Sequence, residues 1–270
     1  MPLSFRRMAM TGVSALALSS LGYAAHANPN LPGLVNQQFT MYTGVSPKAE
    51  FSAVKPVGWT GGSGLIFIAG TTPGQQASDP VYLTTYYSPK PNLFGNYVEA
   101  DGNPVFESGF NYTVHGLTVG QTYTLSFYQA ASQQVGFTGD TTNQWIVSLG
   151  TQGLSVYRSG GFGHYYNNDP GASIAATTLM HIPSAGSGGQ AATTWEYVSV
   201  DLTADKTTNL LSFLAWGNQG STANEPPMAF LSGVDSPPGL VPEPAALSLV
   251  GVGLVGLGMV ARRRRKNARA

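Results

Sequence analysis

An all-β fold, an antiparallel sandwich of the jelly-roll kind, is what this chain predicts between residues 28 and 240, with two segments of different character at its ends. Three observations carry that prediction. Apolar and polar residues alternate with period two in many short runs rich in Val, Thr, Tyr and Phe, the pattern of strands with one dry and one wet side. Gly, Pro, Asn and Asp punctuate those runs, as turns between antiparallel strands require. No stretch between them has a convincing helical period, which argues against βαβ units and a parallel sheet.

In chain order the strand candidates are "GLIFIAG", "NYVEA", "FNYTVHG", "QTYTLSFYQA", "NQWIVSLG", "GLSVY", "AATTLMHI", "WEYVSVDL", "LLSFLAWG" and "MAFLSGVD". In "QTYTLSFYQA", Tyr123, Leu125 and Phe127 share one face and Thr122, Thr124 and Ser126 the other, so the first set is expected in the core. The preceding "GLTVG" supplies a turn. Trp145, Trp195 and Trp216 lie in strand candidates and are expected to pack the core, whereas Trp59 stands in "GWTGG", read as a turn, with no side assigned. His115 and His181 end or punctuate strands and read as ordinary polar residues.

Composition bounds the function. The 270 residues are 42% hydrophobic and 10% charged, enough for one ordinary core. The formal net charge of zero hides a division: Arg6, Arg7 and the bases from Arg262 to Arg269 stand in the tails, leaving five bases against twelve acids from Asn28 to Leu240, a net charge of −7. An acidic body disfavours nucleic acid as a partner. With no cysteine, disulfides, thiolate catalysis and Cys-ligated zinc are excluded together.

The N-terminus reads as a signal peptide over residues 1–27. Arg6-Arg7 forms a positive tip, "MAMTGVSALALSSLGYAA" a largely apolar stretch, and Ala25-His26-Ala27 an A-x-A cleavage box, placing the mature start at Asn28. A buried amphipathic helix is the alternative. At the other end, Ala245 to Ala261 is a run of 17 uncharged residues, about 26 Å long as a helix and barely enough to cross a membrane. Arginines beyond it can snorkel to the interface, and the positive-inside rule puts them in the cytoplasm with the domain outside.

Pro242-Glu243-Pro244, then the apolar run, then the basic cluster Arg262, Arg263, Arg264 and Arg265 resemble the PEP-CTERM sorting signal of Gram-negative exported proteins. The resemblance spans residues 241–270. It implies a membrane-embedded exosortase as processing partner, an inner-membrane intermediate and a final place at the cell surface or in the extracellular matrix. A permanent single-span anchor is the competing reading of the same tail. A looser resemblance runs through "PVGWTGG", "GNYVEADGNP", "HGLTVGQTYTLSFYQA", "TTWEYVSVDLTA" and "PPMAFLSGVD", which is similar to galactose-binding-like jelly rolls. It implies ligand binding in loops at one end of a sandwich and assigns no particular residue.

Catalytic parts are sparse: G-x-S-x-G, the phosphate-binding G-x-x-x-x-G-K-[ST] and H-E-x-x-H are all absent. Glu99 and Asp101 in "VEADG" have the i, i+2 spacing that sets two carboxylates on one strand face, usable by a glycosidase. Asp101-Gly102-Asn103-Pro104 is equally a good turn. A calcium ion on Asp101 or Asn103 is conceivable chemistry, but one acid does not make a site, so no cofactor or metal is expected.

The loop candidate is "YRSGGFGHYYNNDPGAS". Phe162, His164, Tyr165 and Tyr166 beside Asn167 and Asp169 offer what a sugar ring needs, flat apolar surface with polar groups to orient hydroxyls. A cover of tyrosines folded over the sandwich edge is the alternative. The expectation is a non-enzymatic exported protein associated with exopolysaccharide. A polysaccharide-cleaving enzyme on the same fold, or a structural surface protein without ligand, stands against it.

Overall fold

The computed structural model describes residues 28–43, 56–69, 96–134, 137, 139–159, 162–184, 192–218 and 226–234. Residues 1–27, read from sequence as a signal peptide, and the Pro-Glu-Pro box, the apolar run and the basic cluster lie outside them. In chain order the strands are β1 (Trp59–Ser63), β2 (Ile66–Ala69), β3 (Tyr97–Asp101), β4 (Gly109–His115), β5 (Thr122–Gln133), β6 (Thr141–Gly150) and β7 (Leu154–Ser159). There follow β8 (Phe162–Asn167), β9 (Ser173–Ala176), β10 (Met180–Ile182), β11 (Glu196–Thr203), β12 (Thr208–Gly217) and β13 (Pro227–Ser232). Among the described residues no helix is long and apolar enough to cross a membrane.

Two antiparallel sheets form the sandwich. The first runs β1-β4-β12-β6-β10, with β9 also on β6, and the second runs β11-β5-β13-β3-β2. A separate two-stranded sheet is β7-β8. The alternation in β5 works as read: Tyr123, Leu125 and Phe127 are buried, while Thr122, Thr124 and Ser126 are half-buried. Between β4 and β5, Gly116 and Gly120 take positive φ of 76° and 79°, which glycine adopts without the Cβ penalty.

The core between the sheets is aromatic. Phe110 and Phe213, directly opposite on β4 and β12, stack with centroids 5.0 Å apart and planes 9° from parallel. Trp145 meets Phe110 edge-on at 5.9 Å and Phe127 meets Phe213 at 5.5 Å. Fully burying each such ring stabilises the fold by about 1.5–3 kcal/mol. The indole N–H of Trp145 donates to the carbonyl of Phe230 at 3.1 Å, so its burial leaves no donor orphaned.

Residues 28–39 close one side. Beyond Tyr128, β13 no longer pairs with β5, and Asn30 takes the vacant place with a parallel bridge to Thr124. Leu31, Leu34 and Phe39 then enter the core, and the carbonyls of Gln37 and Gln38 accept from Val234 and Asn96.

Three readings from sequence change. "GWTGG" is strand β1, bulged between Gly61 and Ser63, and Trp59 is core, 5.2 Å from Phe39 and 5.0 Å from Tyr112. The run around residues 162–167 is strand β8, not a loop. Trp195 and Trp216 do not join the central core: Trp195 packs on Phe67, Tyr97 and Phe230, and Trp216 on Ile146 and Leu214. Each lies outside the sandwich proper, in a cluster that covers part of the outer side of its sheet.

Candidate functional site

Strands β7 and β8 pair antiparallel, with Ser155 opposite Tyr166, Tyr157 opposite His164 and Ser159 opposite Phe162. Since alternate residues share a face, these six side chains lie on one side of the hairpin. Leu154, Val156, Arg158, Gly163, Tyr165 and Asn167 lie on the other.

The second set lies on the side turned to the first sheet, where Gly163 is buried while Arg158 and Tyr165 stay partly exposed. Leu154 and Val156 pack on Ile146, Leu214 and Trp216 over the outer side of the first sheet. Tyr165 meets Trp216 edge-on at 5.2 Å. Gly163 sits so close to Pro104 that an added Cβ would lie 2.6 Å from the proline Cβ. The outer edge of β7 is fastened too: the N–H of Leu154 donates to Ser212 Oγ at 3.0 Å and that of Val156 to Glu107 Oε1 at 3.1 Å. Arg158 donates to the Val105 carbonyl at 2.8 Å.

The first set faces solvent. Tyr157 is 60% exposed, Phe162 58% and Tyr166 38%, and Tyr157, His164 and Tyr166 line an open pocket of about 350 Å³. No Asp, Glu, Lys or Arg occurs among these six residues. The rings present flat faces, and all but Phe162 carry hydroxyls or ring nitrogens, the amphipathic combination that suits a sugar.

Of the residues singled out from sequence, the structure brings Phe162, His164 and Tyr166 together and separates the rest. Tyr165 is turned inward by strand alternation. Asn167 donates to Ser148 Oγ and the Gln152 carbonyl. Asp169 accepts from the backbone and hydroxyl of Thr151 and from the Gly171 N–H; these bonds, the Thr151 backbone first, hold its pKa below the usual carboxylate value. Both residues shape the turn after β8. Tyr157 belongs to the exposed set and was missed, although its two-residue step from Ser155 and Ser159 in "LSVYRS" carries the signal.

The carboxylate pair lies elsewhere. Val98 and Ala100 enter the central core, so Tyr97, Glu99 and Asp101 face the outer side of the second sheet. That side is covered: Glu99 is 4% exposed and Asp101 fully buried, beside the cluster of Phe67, Tyr97, Met228 and Phe230. Burial pushes the Glu99 carboxyl up to about 8, with a Tyr97 hydrogen bond opposing, and Asp101 up to about 7, with the Asn103 N–H opposing. One oxygen of each has no hydrogen-bond partner among the described residues. Burial disfavours the ionised form of both acids, because ionising them there costs desolvation, and it leaves no open face for a dissolved glycan between them. The Asp101 to Asn103 stretch is a turn in which Asp101 accepts from Asn103 N–H at 2.7 Å and Asn103 from Val105 N–H at 3.0 Å. Among the described residues no group of three or more His, Asp or Glu could hold a metal ion.

The fold and this hairpin define an antiparallel jelly-roll sandwich with an aromatic outer face. Residues 240–265 match the PEP-CTERM protein-sorting motif, a span containing Pro242, Glu243, Pro244 and Arg262 to Arg265. The motif marks an exported protein processed by an exosortase through a membrane-anchored intermediate. No curated protein matches the chain. Among solved structures it is similar to the K1 cleaved adhesin domain of Lys-gingipain from Porphyromonas gingivalis W83, at 14% identity and TM-score 0.33, over 66% of this chain and 89% of that one. The K2 cleaved adhesin domain of Lys-gingipain is 12% identical with TM-score 0.33, over 73% and 93% of the two chains. The enzymatically active domain of tailspike protein 4 from bacteriophage CBA120 is also 12% identical with TM-score 0.33, over 75% of this chain but 23% of that chain. At these TM-scores none of the three carries an argument about ligands or residues.

Proposed function

We propose that this protein is a non-enzymatic component of the cell surface or extracellular matrix that associates with exopolysaccharide through the exposed face of β7-β8. The observation that carries the reading is the gathering of Tyr157, Phe162, His164 and Tyr166 on one uncharged, solvent-facing side. Large aromatic groups kept in water on a hairpin whose other side is well anchored mark an interaction surface. The sorting motif supports the setting, since it directs a protein outward, where such polymers lie. The reading needs no cofactor or metal, and the acidic body keeps nucleic acid out of the partner list.

The test compares retention of the exported wild-type chain and a Tyr157→Ala/Tyr166→Ala variant on exopolysaccharide from the producing cell. Retention is expected to fall in the variant while its melting temperature stays within a few degrees, because neither tyrosine supports the core. Equal retention would return the face to a structural role. Release of shortened glycan by the wild-type chain would favour the polysaccharide-cleaving alternative.

A further inference from the structure

Resting on that reading of the same face, we infer that β7-β8 takes the middle of an extended, uncharged glycan chain laid across its rings, and not a chain end or a free sugar. The shape of the face is the first reason. Phe162 to Tyr166 spans four residue steps of one strand, about 13 Å at the usual rise, and Tyr157 widens the surface by one strand spacing. That is longer than one pyranose ring. The pocket between Tyr157, His164 and Tyr166 is open. A single sugar there leaves much of its surface in water, whereas a site for a small ligand encloses most of it.

The second reason is where the polar groups went. A site for a chain end or free sugar needs several fixed hydrogen-bonding groups converging around one ring. Asn167 and Asp169 are the obvious suppliers, and both are engaged by hydrogen bonds within the fold. The Asn167 amide donates to Ser148 and Gln152, and its oxygen accepts from Asp169 N–H. The two Asp169 oxygens accept from Thr151 and Gly171. What faces outward is rings, with Ser155 and Ser159 at the flanks. Stacking of this kind is weak per sugar and grows by repetition along a chain, as linked contacts do.

Charge and rigidity complete the argument. No formally charged side chain interrupts the face, and residues 28–240 have an acidic balance, formally −7 with the buried Glu99 and Asp101 counted as ionised, which repels polyanions. The contacts of Gly163, Tyr165, Leu154 and Val156 beneath fix the rings before a ligand arrives, which lowers the ordering cost of binding.

Affinity electrophoresis of the exported chain tests this with linear neutral glucan, mannan and galactan, with alginate as the polyanion, and with glucose, mannose and galactose as competitors. The expected result is retardation by a neutral polymer, strengthening from disaccharide to hexasaccharide in competition, unaffected by free monosaccharide in large excess or by added salt. Tyr157→Ala and Tyr166→Ala should each weaken it by about three- to tenfold. Displacement by a free monosaccharide, or stronger retardation by alginate than by any neutral polymer, would overturn the inference while leaving a glycan-binding face. Absence of retardation by every polymer would instead overturn the reading of the face as glycan-binding.

Discussion

The two outer sides of the sandwich are each covered over part of their area, yet the covered parts treat their side chains in opposite ways. Over the first sheet lies β7-β8, whose inward residues Leu154, Val156 and Tyr165 cover Ile146, Leu214 and Trp216, leaving Tyr157, Phe162 and Tyr166 in water. Over the second sheet, Phe67, Tyr97, Trp195 and Phe230 gather while two carboxyls, Glu99 and Asp101, are sealed beneath the surface. Aromatic rings stand outside on one side and acids stand inside on the other. The difference teaches that polarity alone does not say which way a strand residue faces; what lies above its sheet does.

Both sides rest on one core, so the largest expected effect abolishes the comparison altogether. Phe213→Ala removes the ring that touches Phe110, Phe127, Trp145 and Trp59, and should cost about 3–5 kcal/mol in denaturant titration. An unchanged midpoint would mean that the two sheets do not share this core.

Next comes the buried pair. Folding raises Glu99 from 4.5 to about 8 and Asp101 from 3.8 to about 7, so the native state holds protons that the unfolded chain releases. This contribution is therefore most favourable below about pH 4 and is lost as pH rises through about 7 and 8. Stability should fall by a few kcal/mol between about pH 5 and about pH 8, and Glu99→Gln with Asp101→Asn should flatten the slope. A profile rising over that range, or an unaltered slope in the double variant, would contradict the sealed-acid side.

On the hairpin side the effects are smaller. Gly163→Ala forces a Cβ to 2.6 Å from Pro104 and 3.1 Å from the Trp216 ring, which should cost about 1–3 kcal/mol by overpacking and tilt the rings enough to lower glycan retention. Glu107→Ala deprives the Val156 N–H of its acceptor, an effect of about 1 kcal/mol. If Gly163→Ala is neutral in both readouts, the hairpin is not seated as described.

Much of this was legible in sequence and some was not, for identifiable reasons. The core face of β5 could be read from Tyr123, Leu125 and Phe127 because a strand with one wet side shows clean alternation. Glu99 and Asp101 were legible as sharing a face, but not as buried, since their cover comes from Phe67 and Phe230 on neighbouring strands and Trp195 far along the chain. The aromatic run was found and mistaken for a loop: Gly160-Gly161, Asn167 and Asn168 read as loop residues, although two alternating runs separated by Gly-Gly are also a hairpin signal. That misreading placed Tyr165 with Tyr166 and left Tyr157 out. Trp59 went unassigned because the glycines that bulge β1 resemble a turn.

The most direct measurement sets two neighbouring tyrosines against each other. Tyr165 and Tyr166 are adjacent and similarly exposed at 36% and 38%, yet alternation assigns Tyr165 to the packed side against Trp216 and Tyr166 to the open side with Tyr157 and His164. Thermal melting and polysaccharide retention should be measured on Tyr165→Ala and Tyr166→Ala in parallel. Tyr165→Ala should lower the melting temperature clearly, while Tyr166→Ala should leave it almost unchanged and weaken retention. Equal losses of stability in the two variants, or full retention by Tyr166→Ala, would contradict the account.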